Sequence, residues 1–184
     1  GAIGDIGTHA ENLVEYISGL KINSICAELN IAVEGRLLDD DSYVLLKLEN
    51  KANGILTASQ ISTGEENNLN IKISGTEATI EWHQMEPNSL IVYWKDKPKQ
   101  IYRTGSMGLC EAATVSGRIP GGHPEGYLEA FANLYSEVAR HVKDLRNKEV
   151  KVEYDSTTID DGVRGMEFID AVVRSQQSKE KWVN

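Results

Sequence analysis

The chain has 184 residues, 40% of them apolar, and a formal net charge of −9. This length and apolar content suit one domain with its own core and argue against disorder along the whole chain. The negative charge argues against a nucleic-acid partner, because phosphate binding needs a basic surface, and no apolar run approaches the roughly 18 residues of a membrane-spanning helix.

The first predicted element is a helix. From about Thr8 to Leu20 apolar residues recur at helical spacing, and Gly19 near the end is a typical stop. The period then changes to two, because apolar and mostly polar residues alternate from Ser24 to Val33. Such alternation predicts a half-buried strand.

An unbroken run of further strands follows. The stretches Tyr43 to Glu49 and Ile55 to Ser62 flank a predicted hairpin turn at 50–54. Shorter alternating stretches are predicted at 69–74, 78–82, 90–94 and 100–103, with turn residues between them. About six consecutive strands with short connections favour antiparallel pairing in one sheet.

The last third of the sequence predicts a loop and then helices. Residues 105–122 lack any period and are rich in Gly, and a loop of that length is often functional. Pro124 and Glu125 open a helix whose apolar stripe continues to Leu145.

The C-terminal part predicts three further features. They are a short strand near Val150 to Tyr154, a helix from about Thr158 to Val173, and a polar, frayed tail from Ser178 in which Trp182 is the exception.

This element order predicts the α+β class, with one large, mostly antiparallel open sheet and helices on one face. No repeat or linker interrupts it, so we expect a single domain spanning 1–184. Since a few helices cover one face only, we expect the other face to mediate self-association as a homodimer or homotetramer. The apolar strand residues behind this expectation are Ile25, Ala27, Leu29, Ile31, Val33, Val44, Leu46, Leu48, Leu69, Ile71 and Ile73.

Asp5 and His9 have the most suggestive spacing in the chain. Residues four apart share a face of a helix. A carboxylate there can fix the tautomer of an imidazole, and the positive end of the helix dipole favours its neutral form, which suits a base for an alcohol proton. From spacing alone, a capping Asp beside a solvated His is the commoner arrangement, and a metal site would need more ligands.

A second candidate lies where the long loop meets the long helix. His123 stands beside the predicted helix start, where ligand-binding groups are often presented. Arg118 in the same loop can bind a hydroxyl or a carboxylate through its donor fork. The alternatives are a helix cap formed by His123 and Glu125, and a surface arginine.

The two cysteines and the first residue bear on the setting of the chain. Cys26 and Cys110 are too few for a disulfide-stapled secreted domain, and no Cys/His cluster predicts zinc. We therefore expect free thiols in the cytoplasm and no metal. Because the chain begins at Gly1 and enters a patterned segment at once, we also expect an excised domain without a signal peptide.

Four segments resemble one protein family. Asp5-Ile6-Gly7-Thr8-His9 resembles the D-x-G-x-H segment that opens the C-terminal domain of Gfo/Idh/MocA oxidoreductases. The segments 75–82, 122–131 and 161–169 are similar to sugar-active members of that family. The resemblance covers nearly the whole chain in the right order.

The resemblance implies the substrate-binding and oligomerisation half of an NAD(P)-dependent oxidoreductase that acts on a sugar or polyol hydroxyl. In the family, an N-terminal Rossmann domain binds NAD or NADP and supplies a lysine from an E-K-P motif. This sequence contains neither that motif nor G-x-G-x-x-G. The resemblance further implies that Asp5 orients His9, that His9 takes or relays the hydroxyl proton, and, more loosely, that His123 contacts substrate.

Two hypotheses remain at this point. In the first, the chain is half of a dehydrogenase and is inactive alone, because its partner lysine and phosphate-binding glycines are elsewhere. In the second, it is a non-catalytic sugar-binding or dimerisation module of the same fold. A dinucleotide-binding unit upstream of Gly1 would support the first.

Overall fold

The computed structural model describes residues 1–148 and 156–184, and the strand predicted near Val150 to Tyr154 lies outside them. The chain forms two compact units. The first comprises Gly1–Glu66 with Thr158–Asn184, and the second comprises Asn67–Thr157. The α+β class is confirmed, while the single domain over 1–184 stays a prediction.

The described elements follow one another in nearly the predicted order. They are a π-helix (Ile3–Gly7), α1 (Thr8–Ser18), β1 (Ile22–Asn30), β2 (Asp41–Leu48), a 3₁₀ turn (Glu49–Lys51), β3 (Asn53–Ser59), β4 (Asn70–Ser74), β5 (Ala78–His83), β6 (Ser89–Trp94), β7 (Gln100–Arg103), α2 (Glu111–Ser116), α3 (Tyr127–Asn147), α4 (Ile159–Gln177) and β8 (Trp182–Val183).

The expectation of one large sheet is wrong, because the described strands form two four-stranded antiparallel sheets. Their orders are β3-β2-β1-β8 and β4-β5-β6-β7. The chain leaves β3 through residues 60–69, most of them polar, and β4 then pairs with β5. Alternation alone predicts a strand but cannot predict its partner.

The core of the first unit lies between its sheet and its helices. The alternating apolar residues Ile25, Ala27, Val44 and Leu46 are buried, and Phe168 and Val172 of α4 belong to the same core cluster. These strand residues were expected to leave an apolar face bare for self-association. They instead lie on the face that the helices cover, and the free face carries a different set of residues.

The end of β1 differs from the prediction, because the alternation continues to Val33 whereas the strand ends at Asn30. The buried Asp40 carboxylate accepts hydrogen bonds from the N–H groups of Ala32 (2.8 Å) and Val33 (2.9 Å). These side-chain bonds replace ladder bonds, so the chain turns before the apolar pattern ends.

Three further differences come from contacts that a local pattern does not report. Trp182 and Val183 pair with Cys26 and Ile25 of β1, so the predicted frayed tail is partly a strand. The long loop contains the short helix α2. The helix predicted from Pro124 begins at Tyr127, where the Glu129 side chain accepts from the Gly126 N–H (2.9 Å) and caps the first turn.

Candidate functional site

Asp5 and His9 lie on adjoining turns at the start of the first unit. Asp5 is in the π-helix and His9 is the second residue of α1, which continues from it without a break, and both side chains are exposed. A Cβ on Gly7 would lie 2.5 Å from Cδ1 of Ile3, so glycine there leaves room for the buried Ile3 side chain. π-Helical turns are rare and occur frequently at functional sites.

Asp39 fixes the beginning of this π-helix. Its carboxylate Oδ2 accepts hydrogen bonds from the Ile3 N–H (2.7 Å) and from Ser42 Oγ (2.9 Å). Its backbone oxygen accepts from the Ala2 N–H (2.7 Å). A carboxylate at a helix N-terminus satisfies otherwise unpaired N–H groups and interacts favourably with the helix dipole.

The side chain of Asp5 accepts a hydrogen bond from Gln60, a residue that the sequence did not single out. Gln60 donates from Nε2 to Asp5 Oδ2 (3.3 Å). Among residues 1–148 and 156–184, no side-chain hydrogen bond is described between Asp5 and His9. The structure therefore brings the two predicted residues onto one element, and the orientation of His9 by Asp5 stays a prediction.

A charged cluster that contains the buried Glu11 and Glu15 lies between α1 and α4, and Glu11 is two residues after His9 in the chain. Arg164 donates from Nη2 to Glu15 Oε1 (2.8 Å) and to the Ile22 backbone oxygen (2.7 Å). Lys21 Nζ donates to Glu15 Oε2 (2.7 Å). Glu11 is 2% exposed, its Oε1 has no hydrogen-bond partner among the described residues, and Arg164 Nε is 3.9 Å away.

Unequal hydrogen bonding shifts the pKa values of the two glutamates in this cluster in opposite directions. Burial raises the pKa of Glu11 to about 7, and the nearby Glu15 carboxylate adds to that rise. Burial also opposes ionisation of Glu15, but hydrogen bonds from Arg164, the Ile22 N–H and Lys21 outweigh it and lower its pKa. The cluster thus pairs an ionised carboxylate with one that gains a proton near neutral pH.

Arg118 and His123 lie in the loop before α3, in the second unit. Arg118 donates from Nε to Asn133 Oδ1 (2.7 Å) and from Nη2 to Ser136 Oγ (2.9 Å), and both acceptors are on α3. Its fork therefore holds the loop on the helix. His123 has Nδ1 3.1 Å from the Pro120 oxygen, a contact in which Nδ1 donates when it carries the proton.

Glu125 organises the same loop. Its carboxylate Oε1 accepts from the N–H groups of Arg118 (2.8 Å) and Ile119 (2.9 Å). Its backbone exchanges two hydrogen bonds with the Asn88 side chain. The loop that carries His123 is thus fixed by side chains, as a binding loop needs to be, and a common cleft for Asp5, His9 and His123 stays a prediction.

A cavity of the first unit lies away from Asp5 and His9. A groove of about 750 Å³ runs between the start of β1 and α4, and neither Asp5 nor His9 lines it. Among the described residues, no group of three or more His, Cys, Asp or Glu side chains is arranged to hold a metal ion. In the same part of the chain, no helix has both the length and the apolar character needed to cross a bilayer.

The described elements do not form a Rossmann unit. Binding of NAD by a Rossmann unit requires parallel strands and a helix that begins at a glycine-rich turn. In the described part of the chain, residues 1–148 and 156–184, both sheets are antiparallel.

Known proteins resemble the whole chain. The family profile described as the GFO/IDH/MocA C-terminal domain matches residues 1–81. The "uncharacterized oxidoreductase YfiI" of Bacillus subtilis is 30% identical, over 98% of this chain and 47% of its own length. An oxidoreductase structure from Sinorhizobium meliloti is 44% identical with a TM-score of 0.93, over 100% of this chain and 52% of that one.

An Azotobacter vinelandii structure is also similar. It is an inositol dehydrogenase homolog in complex with NADH and myo-inositol, 28% identical with a TM-score of 0.92, over 100% of this chain and 49% of that one. The chain thus spans about half the length of the relatives it matches.

These matches define the class of the chain as an α+β C-terminal domain of oxidoreductases. The Gfo/Idh/MocA resemblance predicted from the sequence is confirmed, and the chain has the C-terminal domain of that family.

Proposed function

We propose that this chain is the substrate-binding and oligomerisation half of an NAD(P)-dependent oxidoreductase that acts on a sugar or polyol hydroxyl. The observation that carries the proposal is the exposed pair of Asp5, on a π-helical turn held by Asp39, and His9, in the first turn of α1. The Azotobacter vinelandii relative, whose complex contains NADH and myo-inositol, matches the whole chain and supports a polyol as substrate.

His9 is the proposed base. Its exposed imidazole stands in the first turn of α1, where a neutral ring can accept a proton from a substrate hydroxyl. Asp5, one turn earlier, is the proposed partner that orients the ring or the substrate hydroxyl. Bound nicotinamide would accept the hydride, and the residues of this chain would receive the proton.

His123 is the proposed substrate contact in the second unit. Its Nδ1 contact with the Pro120 oxygen favours the tautomer that leaves Nε2 as an acceptor. Arg118 is a weaker candidate, because Asn133 and Ser136 occupy two of its donors. It can still position His123 by holding the loop on α3.

Self-association is proposed through the free face of the first sheet. One cross-strand row on that face contains Trp182, Cys26, Leu45 and Ile55, with Tyr43 beside it. The large apolar members of this group are between 41% and 74% exposed. A contiguous exposed apolar patch of this kind usually marks an interface, and a second copy is the proposed partner.

The experiment joins this chain to a cofactor-binding half and follows NAD or NADP reduction with a panel of sugars and inositols. We expect turnover for the joined protein and none for the 184-residue chain, because hydride transfer needs the nicotinamide held against the substrate carbon. Reduction of cofactor by the isolated chain would contradict the proposal. Sugar binding without turnover in the joined protein would favour a non-catalytic module instead.

A further inference from the structure

Gln60 makes a contact that the proposed function does not explain. It is the first residue after β3, and its Nε2 lies 3.3 Å from Asp5 Oδ2 although 55 positions separate the two residues. Both side chains are exposed, so packing does not force them together. We propose that Gln60 is a positioning residue, which holds the Asp5 carboxylate in one orientation for the reaction; this inference rests on the proposed function.

The backbone of Gln60 is fixed before its side chain reaches out. Its N–H donates to the Asp40 oxygen (2.8 Å), which continues the β2–β3 ladder one step beyond the Asp41 and Ser59 pair. Asp40 is fully buried, and its carboxylate is engaged by the loop after β1. The place from which the amide extends is therefore set by the sheet.

The turn that carries Asp5 is fixed by Asp39, the residue before Asp40. Asp39 accepts hydrogen bonds from Ile3 and Ala2 and so sets the position of the turn that carries Asp5. The dipeptide Asp39 and Asp40 thus holds both the Asp5 turn and the Gln60 backbone. Because the two anchors are adjacent in the chain, the distance between amide and carboxylate follows from the fold.

The contact has a specific chemical consequence. A carboxylate that accepts an amide N–H on Oδ2 keeps Oδ1 available, with its rotation about the side-chain bond restricted. Hydrogen bonds to charged groups are stronger than neutral ones, and small misplacements at a reacting centre reduce rates strongly. Gln60 would act through Asp5, so its loss should lower kcat more than it raises KM.

Three variants test the role of Gln60. Gln60→Met keeps the length and removes the donor, and Gln60→Glu places a second carboxylate beside Asp5. Gln84→Met is the matched control, because the half-buried Gln84 in the second unit also donates through Nε2 over 3.3 Å, to the Asn67 oxygen. Each variant is assayed in the joined protein, with the polyol concentration and the pH varied separately.

We expect Gln60→Met to lower kcat by about 10- to 100-fold, the effect of losing a hydrogen bond to a charged group, with KM changed by less. We expect Gln60→Glu to move the kcat profile to higher pH, because like charges oppose ionisation of the pair. The Gln84→Met control should match the wild type. Wild-type kcat in Gln60→Met, or an unmoved pH profile in Gln60→Glu, would overturn the inference.

A measurement on the 184-residue chain separates this inference from the proposed function. The side-chain amide signals of Gln60 in a nitrogen-15 NMR spectrum should shift in Asp5→Ala, while those of Gln84 stay in place. Unshifted Gln60 signals overturn the positioning role, whatever the enzyme does. If the signals shift but Asp5→Asn keeps full turnover in the joined protein, then the proposed catalytic role of Asp5 fails, and the positioning role fails with it.

Discussion

Replacing Glu11 by Gln should abolish part of the pH dependence of stability. Glu11 is 2% exposed, and burial raises its pKa from 4.5 to about 7 in the folded chain. A carboxyl with a raised folded pKa binds its proton more tightly in the native state. The free energy of unfolding should therefore fall as the pH rises from about 4.5 through about 7.

The magnitude follows from the size of the rise. At about 1.4 kcal/mol for each pKa unit, a rise from 4.5 to about 7 corresponds to about 3 kcal/mol lost at alkaline pH. The Glu11→Gln side chain stays neutral, so this loss should be absent. The lowered pKa of Glu15 acts in another window, because its stabilisation is lost as the pH falls below about 4.5.

Urea unfolding of the 184-residue chain at several pH values between 5 and 8.5 measures the effect. We expect the variant to be less stable than or equal to the wild type near pH 5 and more stable at pH 8.5, by up to about 3 kcal/mol. The control is Glu34→Gln, since Glu34 is exposed in the loop between β1 and β2. Parallel curves for Glu11→Gln and the wild type would refute the assignment of a buried, protonated Glu11.

Two further predictions concern the core and the free sheet face. Phe168→Ala should lower the free energy of unfolding by about 3 to 5 kcal/mol, because Phe168 is 3% exposed in the core cluster; a loss below about 1 kcal/mol in urea unfolding would contradict this packing. Leu45→Asp should turn a self-associated chain into a monomer in sedimentation experiments, whereas Leu37→Asp, in the exposed loop after β1, should not; a wild-type chain that is monomeric at high micromolar concentration would refute the interface.

Local pattern predicted most of the elements but not their partners. The alternation from Tyr43 and the helical spacing from Thr8 led to β2 and α1, because burial of one face imposes those periods. The end of β1 depends on Asp40, and the pairing of Trp182 with Cys26 depends on a chain segment more than 150 residues away. Contacts of that kind leave no period in the sequence.

The candidate site, too, was predictable from the sequence only in part. The spacing of Asp5 and His9 placed them on adjoining turns of one element, as the structure has them. The π-helical turn and the contact with Gln60 were not predictable, because they depend on Asp39, just before β2, and on Gln60, just after β3. The sequence therefore predicts the candidate reactive side chains, Asp5 and His9, whereas the residues that hold the turn, Asp39 and Gln60, are identified only from the fold.

The turnover number of His9→Ala in the joined protein tests the central claim most directly. We expect kcat to fall by about 10²- to 10⁴-fold, the range for loss of a general acid or base. His141→Ala, a histidine of α3 in the second unit, should retain the wild-type value. Full turnover by His9→Ala would contradict the claim that the turn carrying Asp5 and His9 is the reaction site.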